Sequence, residues 1–328
     1  MSGETLGDTA SLSQGSTFVN LDTRIKFRHL VCFLEVARQG SLARAADRLA
    51  VSQPAISKTL KELEALLQVS LFDRGKAGAE LTAAGVAFMR YAAPSVQALR
   101  EGVRSLREGE HEAGYVRLGV LSTVESTLLP DVVDRLHARH AALSVSVVTG
   151  PSDYLLSQLR LGELDLVVGR MTDSPQVIGL SFEHLYSESM IMVVRPSHAL
   201  LAEQPLDPGR LHDFPVVLPL SGTTIRRYAD GLFVQAGLGL PPRRLETLSV
   251  ALSKRYVQHS DAIWIAPLDA VRSDLADGTL CQFDPGMAEP GGSVGICHNP
   301  SVPLSLAAQW CCEALHEGAS EYRQDYLP

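Results

Sequence analysis

The chain has 328 residues, 45% of them hydrophobic and 20% charged, with a formal net charge of −8. That length exceeds one ordinary hydrophobic core and predicts two or more domains. No apolar run reaches about 18 residues, which argues against a spanning helix and a membrane partner. The five cysteines, Cys32, Cys281, Cys297, Cys311 and Cys312, form no C-x-x-C pair. Reduced thiols in a cytoplasmic protein are expected, with no disulfide framework, no metal site and no cofactor.

Residues 1–23 are rich in Ser, Thr and Gly, with neither a basic start nor an apolar run. They read as a disordered tail rather than a secretion signal. Beyond them the charge is uneven: Arg24 to Glu110 carries 14 Lys+Arg against 9 Asp+Glu, and His111 onward 15 against 25. A basic N-terminal part suits a polyanion, although a solvated helical surface would also explain so small an excess.

"FRHLVCFLEVARQGS" places Phe27, Leu30, Val31, Phe33, Leu34 and Ala37 at helical spacing, with Gly40 as a stop. Ser41 can cap a second helix, Leu42 to Leu49, whose Ala45 and Ala46 let a neighbour approach closely. After the turn "AVS", Ser52 can cap a third helix with Pro54 in its first turn, where a missing N–H costs nothing. Ile56, Leu60, Leu63 and Leu67 form its buried stripe. Two short helices across a tight turn, the second polar at its front, match a helix-turn-helix. Gln53 suits an adenine edge, Ser57 a base or phosphate, and Lys58 a guanine or phosphate. A capped surface helix in a three-helix bundle fits the same spacing, so spacing alone leaves both readings open.

"VSLFDRGKAGAELT" holds two short extended pieces around Lys76 to Gly78, a small wing with Arg74 at its base for phosphate or minor-groove contact. Thr82 caps a long helix in which Ala92, Val96, Leu99, Val103 and Leu106 recur at 4, 3, 4, 3. That is a coiled-coil seam and predicts a pair of chains, with Pro94 inside the helix kinking it so that the seam is clean only beyond that point.

The stretch from Phe27 to Gly85 resembles the LysR-type transcriptional regulators. The shared pattern is A-A-x-x-L-x-x-S-Q-P-A-I-S, then L-E, L-F-x-R and L-T-x-A-G, in that order. The resemblance implies DNA contacts at Ser52, Gln53, Pro54, Ser57, Lys58 and Arg74, on double-stranded promoter DNA. It also implies a homodimer assembling to a homotetramer, with RNA polymerase as a further partner. Family members more often have Arg where Lys58 stands, and Lys acts more as a point charge.

After "REGEHEAG" strands alternate with helices. "YVRLGVL", "LSVSVVTG" and "LVVGR" read as strands, and "LLPDVVDRLHARH" and "DYLLSQLRLGELD" as helices. "LYSESMIMVVRPSHALL" opens a second such block, continued by "PVVLP", the helix "TIRRYADGLFVQAG", "RRLETL" and "AIWIAP". A last strand and helix, "GSVGICHN" and "PLSLAAQWCCEALHEGAS", return to the first. The reading is an α/β domain with a mostly parallel sheet. Ligands in such folds collect at carboxyl ends of strands. Three strand ends carry Ser122 and Thr123, Ser152, and Ser221 with Thr223 and Thr224; Arg226 follows in the next turn. Hydroxyls, helix N-termini and an Arg suit a carboxylate, and plain helix capping is the alternative for each.

This region resembles the family's two-lobed, periplasmic-binding-protein-like effector domain, with a small-molecule acid inducer between the lobes. The matching positions are Ser122, Thr123, Ser152 and the "SGTTIR" segment. Ser260 and Ala262 stand where members commonly have Gly in V-x-x-G-x-G-I. The "SDAIW" form resembles the branch that controls protocatechuate and other aromatic-acid catabolism, together with relatives sensing sugars. The inducer of that branch would be a small carboxylic acid, singly or multiply charged, and Trp264 would then lie near the cleft, unless it is core.

The fold expected is a mainly α N-terminal winged helix-turn-helix plus long linker helix, then an α/β two-lobed C-terminal domain. Its segments are a DNA-binding domain over 24–82, a linker helix over 83–113 and an effector-binding domain over 114–318. Lobe I takes 114–185 and 291–318, and lobe II 186–290. The function expected is a DNA-binding regulator responding to a small carboxylic acid, possible alternatives being a regulator of a sugar or amino-acid pathway, or an α/β enzyme fused to a DNA reader. G-x-S-x-G, H-E-x-x-H, P-loop and dinucleotide fingerprints are missing, so no catalytic residue is assigned. The histidines of "HARH" lack a third ligand nearby, and His259 beside Asp261 implies no nucleophile.

Overall fold

The computed structural model describes residues 24–75, 78–108, 114–172, 177–203, 206–284, 286 and 291–326. The expected tail over 1–23 and Lys76 of the wing lie outside the described residues. The chain divides into two compact units, with the boundary after Gly85.

The first unit begins with α1 (Phe27–Gln39), α2 (Leu42–Arg48) and α3 (Gln53–Leu67). Ser41 and Ser52 cap α2 and α3, their side chains accepting from Arg44 N and Ala55 N. Phe33 and Val36 of α1 pack with Ala45, Ala46, Ile56, Leu60 and Leu63, all buried. The two alanines have no bulk beyond Cβ, so α1 and α3 close over α2. Leu67, the last residue of the expected stripe, is only half-buried.

The hairpin of β1 (Phe72–Gly75) and β2 (Gly78–Leu81) is antiparallel and is the expected wing. Gly78 has φ +128°, and a Cβ there would lie 2.5 Å from the Gly40 carbonyl oxygen. The next N–H, of Ala79, donates to that same oxygen at 3.0 Å. Only glycine lets the wing seat against the α1–α2 turn.

Helix α4 (Ala83–Glu108) starts at the Thr82 cap, whose hydroxyl accepts from Gly85 N at 3.0 Å. It continues through Pro94. The expected seam divides: Ala92 and Val96 are buried within the chain, whereas Leu99 and Val103 stay 50% and 42% exposed. Gly162, at φ +71°, packs beside Ala93 and Gln97 of this buried half. The side chain of Leu106 lies outside the described residues.

The second unit contains two five-stranded sheets. Its elements run β3 (Tyr115–Val120), α5 (Ser122–Ser126), α6 (Leu128–Arg139), β4 (Ser144–Thr149), α7 (Ser152–Arg160), β5 (Leu166–Arg170), β6 (Ser181–Glu188) and β7 (Met190–Val194). Then follow β8 (Val216–Leu218), α8 (Thr224–Gln235), β9 (Arg244–Glu246), α9 (Val250–Gln258), β10 (Ile263–Pro267), α10 (Leu268–Ala276), β11 (Cys281–Phe283), β12 (Gly292–His298) and α11 (Leu306–Tyr326). One sheet has the order β4-β3-β5-β12-β6, the other β11-β7-β10-β8-β9.

Two features differ from the sequence expectation. Neither sheet is mostly parallel: β3 pairs in parallel with β4 and β5, and β8 with β9 and β10, while β12 and β7 run antiparallel to their neighbours. Parallel neighbours need a crossover helix, and the chain enters β7 and β12 from the other lobe without one. Strand β6 completes the first sheet as far as Glu188, so the chain changes lobe at Ser189 rather than before Tyr186. The closing helix runs to Tyr326, past the expected end at 318.

In lobe I, Leu128, Val132 and Leu136 of α6 pack with Cys311 and Leu315 of α11 over β3, β5 and β12. Leu155 and Leu159 of α7 cover the other face. In lobe II, Leu232 and Phe233 of α8 cover one face. Val257 of α9 and Val271 of α10 cover the other, where Trp264 is buried. Helices α9 and α10 escaped sequence analysis because they bury few apolar residues: Ser253 and Val257 in one, and Ala270 and Val271 beside two aspartates in the other.

Candidate DNA-binding and effector sites

The front of α3 presents Ser52, Gln53, Pro54 and Lys58 to solvent, with Ser57 half-buried. Ser52 Oγ is 3.4 Å from Ala55 N, which leaves the cap in place and the following polar side chains outward. Ile56, Leu60 and Leu63 occupy the opposite face and are buried. Arg74 lies in β1, its Cα paired with that of Ala79. The helix therefore has an anchored face and a free, polar, basic one. That arrangement suits a DNA groove.

In the second unit a cleft with about 780 Å³ of empty space, part of it open to solvent, lies between the lobes. Lobe I contributes Leu121, Ser122 and Thr123 after β3, Thr149 at the end of β4 with Gly150 to Ser152 after it, and Arg170 at the end of β5. Lobe II contributes Thr223, Thr224, Ile225, Leu248 and Pro267. Five strand-end hydroxyls picked from sequence, those of Ser122, Thr123, Ser152, Thr223 and Thr224, thus share one cavity.

Hydrogen bonds across the cleft join the lobes. Thr224 Oγ1 donates to Thr172 Oγ1 at 3.1 Å, and Ser122 Oγ to the Leu248 carbonyl at 3.5 Å. Thr123 Oγ1 is buried with no protein partner. Its residue is 4% exposed. The α7 N-terminus, at Ser152, has no side-chain cap, so its first N–H groups stay available to a ligand.

Arg170 is 3% exposed and pairs with Glu188 at the end of β6. Burial pulls its pKa down to about 10, opposed by Tyr186, Asp269 and Tyr228. It is a cation at neutral pH. Its Nε is buried without a partner. Arg170 is not among the residues expected from the sequence. The available signal was a basic residue closing the wholly buried strand "LVVGR".

Residues 27–86 match the family described as "Bacterial regulatory helix-turn-helix protein, lysR family", and residues 109–320 the "LysR substrate binding domain". The chain belongs to the LysR family of bacterial regulators. The HTH-type transcriptional regulator PcaQ of Agrobacterium fabrum is 41% identical over 306 residues, covering 92% of this chain and 97% of that one. The uncharacterized HTH-type transcriptional regulator YdcI of Escherichia coli is 37% identical over 295 residues, covering 90% and 96%. The solved structure of ArgP from Mycobacterium tuberculosis matches with a TM-score of 0.65 at 18% identity, covering 89% of this chain and 96% of that one. This last likeness shows the fold alone. The LysR-family chain is thus a DNA-binding transcriptional regulator with a substrate-binding domain.

Two residues selected for this LysR-family cleft lie elsewhere. Arg226 does not line the cavity; it donates to Asp230 at 2.7 Å and to the Pro219 carbonyl at 3.0 Å, and pairs with Glu246 at 3.1 Å. Ser221 is exposed, and its Oγ accepts from Arg226 at 3.4 Å. Trp264 is core and does not line the cleft. Nor do His259 and Asp261 bond each other: His259 Nδ1 faces the Arg255 carbonyl and Asp261 pairs with Arg195. His140 of "HARH" stacks on Trp310, ring centroids 3.6 Å apart. Among the described residues no cluster of His, Cys, Asp and Glu could hold a metal ion, and no helix is long and apolar enough to cross a membrane.

Proposed function

We propose that this regulator responds to a small carboxylic acid bound between its lobes, an intermediate of aromatic-acid catabolism acting as inducer. The observation that carries the reading is Arg170, a buried guanidinium with an unpartnered Nε in the wall of a hydroxyl-rich cleft. Thr123 and the uncapped start of α7 add donors, a set that suits a carboxylate. The aromatic pathway rests on the "SDAIW" resemblance. Gln53, Pro54, Ser57, Lys58 and Arg74 contact promoter DNA in this reading, with Ser52 holding the start of α3. A homodimer, assembling to a tetramer, sets pairs of recognition helices on spaced half-sites. Closure of the lobes around the acid shifts the population of the assembly between two states.

Thermal shift of the full chain with benzoate, protocatechuate and muconate tests the ligand. A ligand at 100 times its dissociation constant adds about 2.7 kcal/mol of stability. Arg170→Gln should lose that gain and the response of DNA mobility to the acid, yet keep DNA binding. Acid binding that survives the substitution would refute the cleft assignment.

A further inference from the structure

The charges around the cleft floor nearly cancel. Arg170 is the one charged side chain in the cleft lining among the described residues. Its partner Glu188 has a fully buried side chain, 0% exposed, whose Oε1 has no hydrogen-bond partner. Close by, Asp269 of α10 is buried and accepts from the Tyr322 hydroxyl and, at 3.0 Å, from Arg272. Two guanidinium groups therefore face two carboxylates. What remains positive is the backbone. The α7 start at Ser152 and the α8 start at Thr224 both open on the cleft, and each helix N-terminus is equivalent to about half an elementary charge.

We infer that Glu188 limits this cleft to a single negative charge, so that the effector is a monoanionic acid with an apolar body rather than a di- or tricarboxylate. The inference rests on the proposed acid-binding function of the same cleft. One carboxylate meets the Arg170 Nε, the Thr123 hydroxyl and the α7 N–H groups. The remainder of the ligand meets Leu121, Pro151, Ile225, Leu248 and Pro267, which offer no charge. A second carboxylate would leave water for at most the partial charge of the α8 start, with no side-chain cation to receive it, because Glu188 already occupies one edge of Arg170. Glu188 is a specificity-determining residue that acts through Arg170.

Calorimetric titration of the full chain at neutral pH with benzoate, terephthalate and benzene-1,3,5-tricarboxylate tests this. Benzoate should bind at least about tenfold more tightly than terephthalate, a gap of about 1.4 kcal/mol, and the tricarboxylate should not bind. Glu188→Gln should move the preference toward terephthalate by about tenfold. If that variant fails to fold, Ser152→Lys supplies the extra positive charge at a half-buried lining position and should move the preference the same way. Wild-type preference for muconate, terephthalate or the tricarboxylate over benzoate, lost in Arg170→Gln, would overturn the single-charge inference and leave the acid-binding function standing. So would an unchanged preference in a folded charge variant. Binding of none of the three acids, nor of protocatechuate or muconate, would overturn both.

Discussion

Arg226 Nε lies 2.7 Å from Asp230 Oδ1, and its Nη1 lies 3.1 Å from Glu246 Oε1. The guanidinium is buried between α8 and β9, and its neighbours include the Pro219 carbonyl. A side chain so engaged ties a helix start to two strand ends of lobe II. Arg226→Ala should therefore lower stability by about 1–3 kcal/mol, because it strands partners around a buried group. Acid affinity of the folded variant should fall far less than that of Arg170→Gln. Chemical unfolding and calorimetric titration of the two variants, side by side, separate the roles.

The contrast between these two arginines shows where sequence reading stops. Arg226 follows three hydroxyl-bearing residues, which suggests a ligand, but its i+4 neighbour Asp230 was the better clue. Its second partner, Glu246, is distant in sequence and visible only once β8 and β9 pair. Arg170 ends an apolar strand and meets Glu188 only because β12 joins β5 to β6. By contrast, local signals sufficed for the first unit. Ser52, Pro54, Ala45 and Ala46 specify capping and close packing within about twenty residues. The strand-end hydroxyls were legible too, since the alternation of strands and helices fixes which ends face a cleft.

The divided seam of α4 predicts an asymmetric response to substitution. Leu99 and Val103 are exposed in the single chain, whereas Ala92 and Val96 belong to its core. Leu99→Asp with Val103→Asp should weaken self-association, since each apolar side chain buried at a contact contributes about 1.5–3 kcal/mol. The dimer dissociation constant should rise by at least about tenfold. The melting temperature at low concentration should change little. Val96→Asp should instead unfold the chain, because it places a carboxylate in a packed interior. Sedimentation equilibrium alongside thermal melts distinguishes the two outcomes.

Lys58 is exposed on α3, so Lys58→Ala should leave stability within about 0.5 kcal/mol of wild type. Loss of one phosphate contact should reduce the slope of log K against log salt by about 0.9, uniformly across DNA sequences. A base contact would show differently, as loss at certain sequences with an unchanged slope. Lys58→Arg, restoring the residue commoner in the family, should sharpen discrimination at a guanine through bidentate pairing. Binding isotherms at several salt concentrations, on matched and scrambled sites, read both effects.

His198 gives lobe II a dependence on acid pH. Its ring is buried; Nδ1 accepts from Leu200 N at 3.2 Å, and Nε2 lies 3.2 Å from the Asp261 carbonyl. A neutral ring protonated at Nε2 satisfies both, and a proton on Nδ1 would face the Leu200 N–H. Burial accordingly lowers the pKa from 6.5, opposed by Asp261 and assisted by Arg195, while Phe214 packs against the ring. The unfolded chain binds this proton at higher pH than the folded one does. The stability is therefore complete above about pH 6.5 and declines as pH falls through the folded value. His198→Asn keeps a side-chain acceptor for Leu200 N and removes the titration. The variant should be less stable by about 1 kcal/mol at pH 7.5, as for a weakened cap, and the gap should narrow by pH 5.5. Urea unfolding of both proteins at the two pH values checks it, since other groups cancel in the difference; a constant gap would rule out His198 as the titrating group.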